Sequence, residues 1–316
     1  MQITTPIPWI DSFILTRTVE SGRRSEFYRA ARAGRYIRLA HGVHVPATTW
    51  SSLSSDDRYL ARIHAVASVS RPGLLFSHRS AAALWRLPSI GDWSPVVEAT
   101  VGSMSTGPSR AAFTARQYPV PSEHVVIDGL AVTTLARTVI DVGRLASLGA
   151  AVAAMDAALA EKDLRTALIT ERVTPEQLAA EFHRIESARG SRRCRDALEL
   201  ADGLSGSAGE SLSRVNMHLL GIHRPVLQQE FRDAQGLIGY VDFWWPEFGL
   251  IGEFDGVGKY LRADILEGRS TADALVAEKK REDRLRALGP RVTRWGWEVA
   301  RSLPLLSRQL RDAGLR

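Results

Sequence analysis

Two apolar segments of the sequence contain acidic residues. A buried strand accommodates a carboxylate only if a cation, a proton or a hydrogen-bond donor lies beside it. Asp242 lies in the segment 239–244, and Glu253 and Asp255 lie in the segment 249–256. Short apolar runs bounded by glycine are typical of β-strands. Because side chains two positions apart project from the same face of a strand, we expect Glu253 and Asp255 to point together, beside Asp242 of a neighbouring strand.

This predicted cluster of carboxylates indicates a site for a cation. Like charges at short distance repel each other unless a proton or a cation lies between them. Carboxylate oxygens are hard ligands, which suit Mg²⁺ or Mn²⁺. We therefore predict that Asp242, Glu253 and Asp255 bind one of these ions. The alternative for Asp242 is an ion pair with an arginine at the end of its strand.

Further candidates for the same site lie on predicted helices and on the loop after the second strand. Glu210 is expected to reach the cluster from a helix, although its spacing from Ser207 is also that of a capping box, in which it only caps the helix. Lys259, just past Gly256, or Lys279 on the next helix would stabilise negative charge during catalysis. The alternative for Lys279 is a solvated helix face with paired charges.

Composition and the N-terminal segment limit the class of protein. The chain has 316 residues, of which 45% are hydrophobic and 24% charged, so we expect a globular protein of two or three domains. Cys194 is the only cysteine, which excludes an intramolecular disulfide and fits a reduced, cytoplasmic location. No secretory signal and no segment long enough to cross a bilayer is expected, so a membrane is not a predicted partner.

The basic character of the chain favours a polyanionic partner. The formal net charge is +6, which suggests DNA or RNA, although a general preference for arginine would give the same charge. The N-terminal segment predicts a helix over 9–21, a second helix over 26–33 and a hairpin over 36–45, which is the plan of a winged helix. Its predicted nucleic-acid contacts are Arg23, Arg24, Arg29, Arg32 and Arg38.

The predicted architecture is a multidomain α/β protein. Its segments are a winged-helix DNA-binding domain (1–50), a middle α/β domain (56–170), a helical linker (171–204) and a C-terminal domain (205–316). In the middle domain we expect helices over 59–69 and from 77, strands over 96–101 and 113–118 with a flexible loop over 102–109, a hairpin over 125–133, and helices over 135–148 and 152–161. In the last domain we expect helix 210–220, strands 227–232, 238–245 and 250–255, helix 271–288, strand 291–297 and helix 303–313.

The C-terminal domain resembles the restriction-endonuclease-like PD-(D/E)XK fold, in its Vsr-like branch. The resemblance rests on residues 209–214, 241–243, 252–256 and 279–295 and covers about 205–316. It implies a mixed sheet flanked by helices and metal-dependent cleavage of nucleic acid. By position, Glu210, Asp242 and Glu253 match the acids of the family. Position 255 departs from the usual Glu-x-Lys motif because it is Asp, so either a displaced residue supplies the positive charge or the domain is inactive.

The preceding part of the chain is similar to the AbiEi family, the antitoxins of type IV toxin–antitoxin systems. The matching segments are 34–43, 77–82 and 132–141, and the similarity covers about 8–165. It implies a winged helix that binds promoter DNA, followed by an α/β domain.

The motifs and the two resemblances predict two alternative functions. The first is a metal-dependent endonuclease, acting on DNA rather than RNA, in a toxin–antitoxin or phage-defence setting. The alternative is a DNA-binding transcriptional regulator or type IV antitoxin whose nuclease-like domain is inactive. Nothing in the sequence separates DNA from RNA as the target. These two interpretations imply two protein partners, a cognate toxin and a second copy of the chain.

Overall fold

A computed structural model describes residues 2–4, 7–70, 74–101, 113–117, 123–160, 171–256 and 271–315. The chain divides into two compact units, 1–146 with 165–194, and 147–164 with 195–316. No helix among the described residues is both long enough and apolar enough to span a bilayer.

The secondary structure of the described residues is mixed α and β. The strands are β1 (Gln2–Ile3), β2 (Ile14–Leu15), β3 (Tyr36–Ala40), β4 (Val43–Pro46), β5 (Leu75–Phe76), β6 (Val97–Val101), β7 (Phe113–Gln117), β8 (His124–Ile127), β9 (Leu130–Thr133), β10 (Val226–Asp233), β11 (Gly236–Trp245), β12 (Leu250–Phe254) and β13 (Arg291–Trp295). The α-helices are α1 (Arg24–Arg32), α2 (Ala47–Ser52), α3 (Ser55–Val69), α4 (His78–Leu84), α5 (Leu135–Leu145), α6 (Leu148–Leu159), α7 (Pro175–Arg184), α8 (Ser191–Leu200), α9 (Ala208–Leu219), α10 (Thr271–Ala287), α11 (Trp297–Ala300) and α12 (Leu303–Asp312).

The N-terminal part of the first unit contains a three-stranded antiparallel sheet in the order β2-β4-β3. The predicted hairpin is confirmed as β3 and β4. The predicted helix over 9–21 is wrong, because this segment forms short 3₁₀ turns around β2. The hydroxyls of Ser12 and Thr18 donate to the carbonyls of Trp9 and Leu15, at 2.6 and 2.8 Å. Such local bonds from Ser and Thr compete with a regular helix.

A six-stranded mixed sheet forms the rest of the first unit, in the order β1-β8-β9-β5-β6-β7. The predicted middle strands and helices are confirmed, while the predicted loop 102–109 lies outside the described residues. Asp128 and Gly129 both have positive φ, which is the backbone that a tight two-residue turn between β8 and β9 requires. The predicted helical stretch 171–204 consists of two helices, α7 and α8, and the turn between them includes Gly190 with φ of +90°.

The second unit contains a four-stranded mixed sheet in the order β10-β11-β12-β13, with the last pair parallel. All the strands and helices predicted for this part of the chain are present. Alternate residues of β12 face different cores, as in any strand. Leu250 and Phe254 pack in a cluster with residues of α9 and α12, whereas Ile251 packs in a second cluster with Leu285 of α10. Helices therefore cover both faces of the sheet.

Helix α6 belongs to the second unit, although the sequence analysis placed it in the middle segment 56–170. Asp156 of α6 is 1% exposed and accepts hydrogen bonds of 2.7 Å from Ser211 and Arg214 of α9. A Cβ on Gly149 would lie 2.6 Å from the side chain of Leu212, so the two helices approach closely. A buried carboxylate needs such partners, and they join α6 to α9.

Candidate functional site

Glu210 lies in the first turn of α9, where it takes part in capping the helix. The Ser207 hydroxyl accepts a hydrogen bond from the Glu210 backbone N–H at 3.3 Å and donates one to its carboxylate at 2.8 Å. The backbone N–H of Gly206 donates to the same carboxylate at 2.7 Å. Glu210 is 2% exposed, so these donors hold a buried acid at the N-terminus of α9.

Asp242 lies on β11 and is joined to Glu210 by the side chain of Gln228. The Nε2 of Gln228 donates to Glu210 Oε2 at 3.1 Å and to Asp242 Oδ1 at 3.2 Å. The second oxygen of Asp242 accepts from the backbone N–H of Phe254 in β12 at 2.8 Å. The structure therefore brings two of the predicted acids, Glu210 and Asp242, to one amide group.

Gln228 belongs to this site, although the sequence did not predict a role for it. Its φ is +47°, in the left-handed region that non-glycine residues seldom adopt. Pairing between β10 and β11 joins Leu227 to Phe243 and Gln229 to Val241 on either side of it. The strained backbone at Gln228 places its amide between the two acids.

A close approach of α9 to β12 keeps the acids of α9 and β11 together. A Cβ built on Gly209 would lie 2.0 Å from the ring of Phe254, which is 3% exposed. Only glycine fits at this position without a shift of the helix or the ring. Gly209 immediately precedes Glu210, so the absence of a side chain there sets how closely Glu210 lies to the sheet.

Glu253 is engaged differently from the other two acids. Its Oε1 pairs with Arg281 of α10 at 2.6 Å, and its Oε2 pairs with Arg294 of β13 at 2.7 Å. Arg294 also pairs with Glu278 at 2.5 Å and with Glu282 at 3.5 Å. Burial alone would lower the pKa of Arg281, but the hydrogen bond and charge of Glu253 raise it above its usual range. Two guanidinium groups thus supply the positive charge that the sequence analysis assigned to a metal ion.

The two acids in sequential strands thus have different environments. Glu253 follows Ile251 by two positions and contacts α10, whereas Asp242 connects through Gln228 to Glu210 of α9. Among the residues that the structure describes, no three His, Cys, Asp or Glu side chains lie close enough to form a metal site.

The remaining predicted residues of this site lie around it. Asp255 is half-buried just after β12, and its backbone N–H donates to the carbonyl of Trp295 at 2.8 Å. Lys279 is exposed on α10. Lys259 lies outside the described residues.

The predicted nucleic-acid contacts all lie in the first unit with exposed side chains. Arg24, Arg29 and Arg32 belong to α1, and Arg38 belongs to β3. Arg23, just before α1, pairs with Glu20 at 3.7 Å, and both side chains are about four-fifths exposed. Weak, exposed pairs of this kind leave arginines accessible to phosphates.

A second group of titratable side chains lies in the interior of the first unit. Asp141 is fully buried and lies 3.0 Å from Arg137, 3.5 Å from Arg144 and 3.9 Å from His78. Nδ1 of His78 lies 2.9 Å from the buried hydroxyl of Ser77, and the tautomer of the ring decides which of the two atoms is the donor. Burial raises the pKa of Asp141 to about 6 against the opposing effect of Arg137. These groups are shielded from solvent, so we assign them to the stability of the unit.

No protein-family model matches the sequence. The chain is 33% identical over 131 residues to two proteins of Mycobacterium tuberculosis, "Uncharacterized protein MT2308" of strain CDC 1551 / Oshkosh and "Uncharacterized protein Rv2248" of strain H37Rv. The matched segment is 42% of this chain and 45% of each relative, so the chain spans about half the length of the curated relatives it matches. The similarity identifies a related segment in M. tuberculosis and assigns no activity to it.

Proposed function

We propose that the second unit is a metal-dependent nuclease that hydrolyses phosphodiester bonds in nucleic acid, with DNA as the favoured substrate. The observation that carries the proposal is the single amide of Gln228 that holds Glu210 and Asp242 together. Two acids that converge on one amide bring carboxylate oxygens together, and such oxygens are the ligands that a hard divalent cation prefers. The mixed sheet with helices on both faces agrees with a restriction-endonuclease-like fold.

The residues of this site fit a hard divalent cation in part. Asp242 and Glu210 supply carboxylate oxygens, but the described residues bring no third acid, Asp255 included, close enough to complete a three-acid site. Water and the substrate phosphate would complete the coordination of Mg²⁺. Glu253 does not fit as a direct ligand, since both of its oxygens are held by arginines. Mg²⁺ or Mn²⁺, when bound there, would lower the pKa of a water molecule and offset the charge of the phosphate.

Glu253, in this proposal, positions cations instead of binding metal. It holds Arg281 and Arg294, whose side chains are 23% and 25% exposed, and both arginines also pair with Glu278 of α10. A guanidinium group is suited to the oxygens of a phosphate. These arginines take the charge-stabilising role that the lysine of a Glu-x-Lys motif would have, and Lys259 and Lys279 remain alternatives for it.

The first unit would bring the nucleic acid to this site. We propose that the hairpin of β3 and β4 with the helices around it acts as a winged helix, and that the exposed arginines contact phosphates. Such contacts make affinity fall steeply with salt concentration. A cognate toxin and a second copy of the chain are the protein partners that this proposal allows.

Cleavage of plasmid DNA and of single-stranded RNA in Mg²⁺ tests the nuclease. We expect the wild-type chain to nick DNA in Mg²⁺ but not in EDTA. Asp242→Asn and Glu210→Gln should each lower the rate by about 100-fold or more, because each removes charge from the ligand set. The matched control is Glu247→Gln, an exposed position in the turn after β11. Equal rates for wild type and Asp242→Asn would exclude this site.

The second candidate function is a DNA-binding regulator with an inactive second unit. The observation that favours it is the pairing of both Glu253 oxygens with arginines, which removes one acid from the predicted metal ligands. Gel-shift titrations on the DNA upstream of its own gene distinguish this function from cleavage. Two results together would favour the regulator. Arg29→Gln should weaken binding while the exposed control Arg195→Gln does not, and the wild-type chain should not cleave DNA in Mg²⁺ or Mn²⁺.

A further inference from the structure

A cavity of about 470 Å³ lies in the N-terminal part of the first unit. Its wall is formed by β2 and the residues after it, by α1, by the hairpin of β3 and β4, and by the last residue of α3. The polar and aromatic residues of the lining are Thr16, Arg17, Tyr28, Arg38, His41 and His44.

Part of the lining of this cavity is rich in hydrogen-bond donors. Arg38 lies directly opposite His44 in the antiparallel pairing of β3 with β4, so the two side chains share a face of the sheet. The Nη2 of Arg38 lies 3.2 Å from Nδ1 of His41. A guanidinium group can only donate, so this histidine nitrogen accepts, and Nε2 of neutral His41 carries the proton. Arg17 adds a further cation to the wall.

Two buried polar atoms in the wall have no hydrogen-bond partner within the described residues. These are Nδ1 of His44, whose residue is 6% exposed, and the hydroxyl oxygen of Thr16. Buried polar groups are almost always paired, because an unpaired one loses its hydrogen bonds to water without replacement. Both atoms have almost no accessible surface, so they lie behind the wall of the cavity and a ligand would reach them only after a side-chain movement.

Part of the lining is apolar and includes an aromatic ring. Tyr28 is 45% exposed and Val69 is 37% exposed, which is high for large hydrophobic side chains. Leu15 lies in the same wall. An exposed tyrosine ring beside aliphatic side chains is the surface on which a nucleobase stacks.

We propose that this cavity binds a nucleotide, with its phosphate against Arg17, Arg38 and His41 and its base against Tyr28. Burial, with a smaller effect of Arg38, lowers the pKa of His44, which keeps this buried imidazole uncharged beside the cationic lining. The nucleotide can be a free mononucleotide or one residue of a bound strand. The inference concerns the first unit and does not depend on the metal site of the second.

Calorimetric titration of the full chain tests the proposal. The probes are the four nucleoside 5′-monophosphates, inorganic phosphate, adenosine and a single-stranded oligonucleotide of mixed sequence. We expect saturable binding of at least one monophosphate or of the oligonucleotide. Phosphate and adenosine alone should bind about tenfold more weakly than the preferred monophosphate, since each keeps only half of the contacts. Binding of monophosphates identifies a free nucleotide, and binding of the oligonucleotide alone identifies a strand.

Two variants separate the cavity from general charge. Arg38→Gln should weaken binding by about tenfold, because it removes a cation from the phosphate. Tyr28→Ala should weaken binding by a few fold, because it removes the ring on which the base stacks. Circular dichroism and melting temperature establish that each variant is folded.

The matched control is Arg35→Gln, an exposed arginine that does not line the cavity. It should leave the affinity within about twofold of wild type. The proposal would be overturned by no saturable binding of any probe. Equal losses with Arg38→Gln and Arg35→Gln would also overturn it, because they would indicate nonspecific attraction to a basic surface.

Discussion

Arg281 donates a hydrogen bond of 2.6 Å to Glu253, and this bond joins helix α10 to the middle of the second unit's sheet. The pair is largely buried, since Glu253 is 8% exposed. A buried carboxylate without a partner is unfavourable, so the arginine makes the acid compatible with an apolar strand. The relationship also explains why an acid in β12 is compatible with folding before any ion is bound.

Removal of Arg281 should therefore destabilise the protein more than removal of both partners. We expect Arg281→Gln to lower the free energy of unfolding by about 2–4 kcal/mol, because Glu253 then keeps only Arg294. The double variant Arg281→Gln/Glu253→Gln should be more stable than Arg281→Gln alone by at least about 1 kcal/mol, because no buried charge is then left without its partner. Urea denaturation of the four proteins of this cycle measures the coupling. Simple additivity would show that the two side chains do not interact in solution.

The buried imidazole of His64 predicts a loss of stability in acid. Burial lowers its pKa from 6.5 to about 4, with opposing smaller effects of Asp128 and Arg86. Between these pH values the unfolded chain takes up a proton that the folded chain does not, so stability falls as pH falls from 6.5 to 4. The lowered pKa accounts for a loss of about 3 kcal/mol at most.

Denaturant unfolding of wild type and His64→Phe at pH 7 and pH 4 measures this contribution. The variant should lose less stability between the two pH values than wild type does, by up to about 3 kcal/mol. His124→Phe, at an exposed position in β8, serves as the control and should follow wild type. An identical acid loss in wild type and His64→Phe would contradict the assignment.

Gly209 sets the distance between α9 and β12, so a methyl group there should disturb both stability and the site. In Gly209→Ala the new Cβ meets the ring of Phe254 at 2.0 Å unless the helix moves. We expect a loss of about 1–3 kcal/mol from this overpacking, measured by thermal unfolding. Gly22→Ala is the matched control, because nothing lies within 4 Å of its new Cβ. Equal stability of Gly209→Ala and wild type would mean that the helix shifts at no cost.

Much of the second unit could be predicted from local pattern. The apolar runs around Asp242 and Glu253 form adjacent strands, as their glycine boundaries indicate. The partners of Glu253 could not be predicted, because they come from α10 and β13, far along the chain. Spacing within a segment carries no information about which distant arginine will reach a carboxylate.

Two local errors have physical causes. The apolar spacing of residues 9–14 matches a helix, but hydroxyl groups that bond to nearby carbonyls favour turns there. The sequence around Gln228 predicts an ordinary polar position of a strand. The positive φ of Gln228 arises from the tertiary structure around it. Its role as the link between Glu210 and Asp242 could therefore be recognised only in three dimensions.

Calorimetric titration of Mn²⁺ into the purified chain tests the central claim most directly, because it measures ion binding separately from cleavage. The account predicts saturable binding by wild type and by Asp283→Asn, an exposed control on α10, and a loss of affinity of about tenfold or more in Asp242→Asn. The absence of saturable binding in wild type, or unchanged affinity in Asp242→Asn, would contradict it.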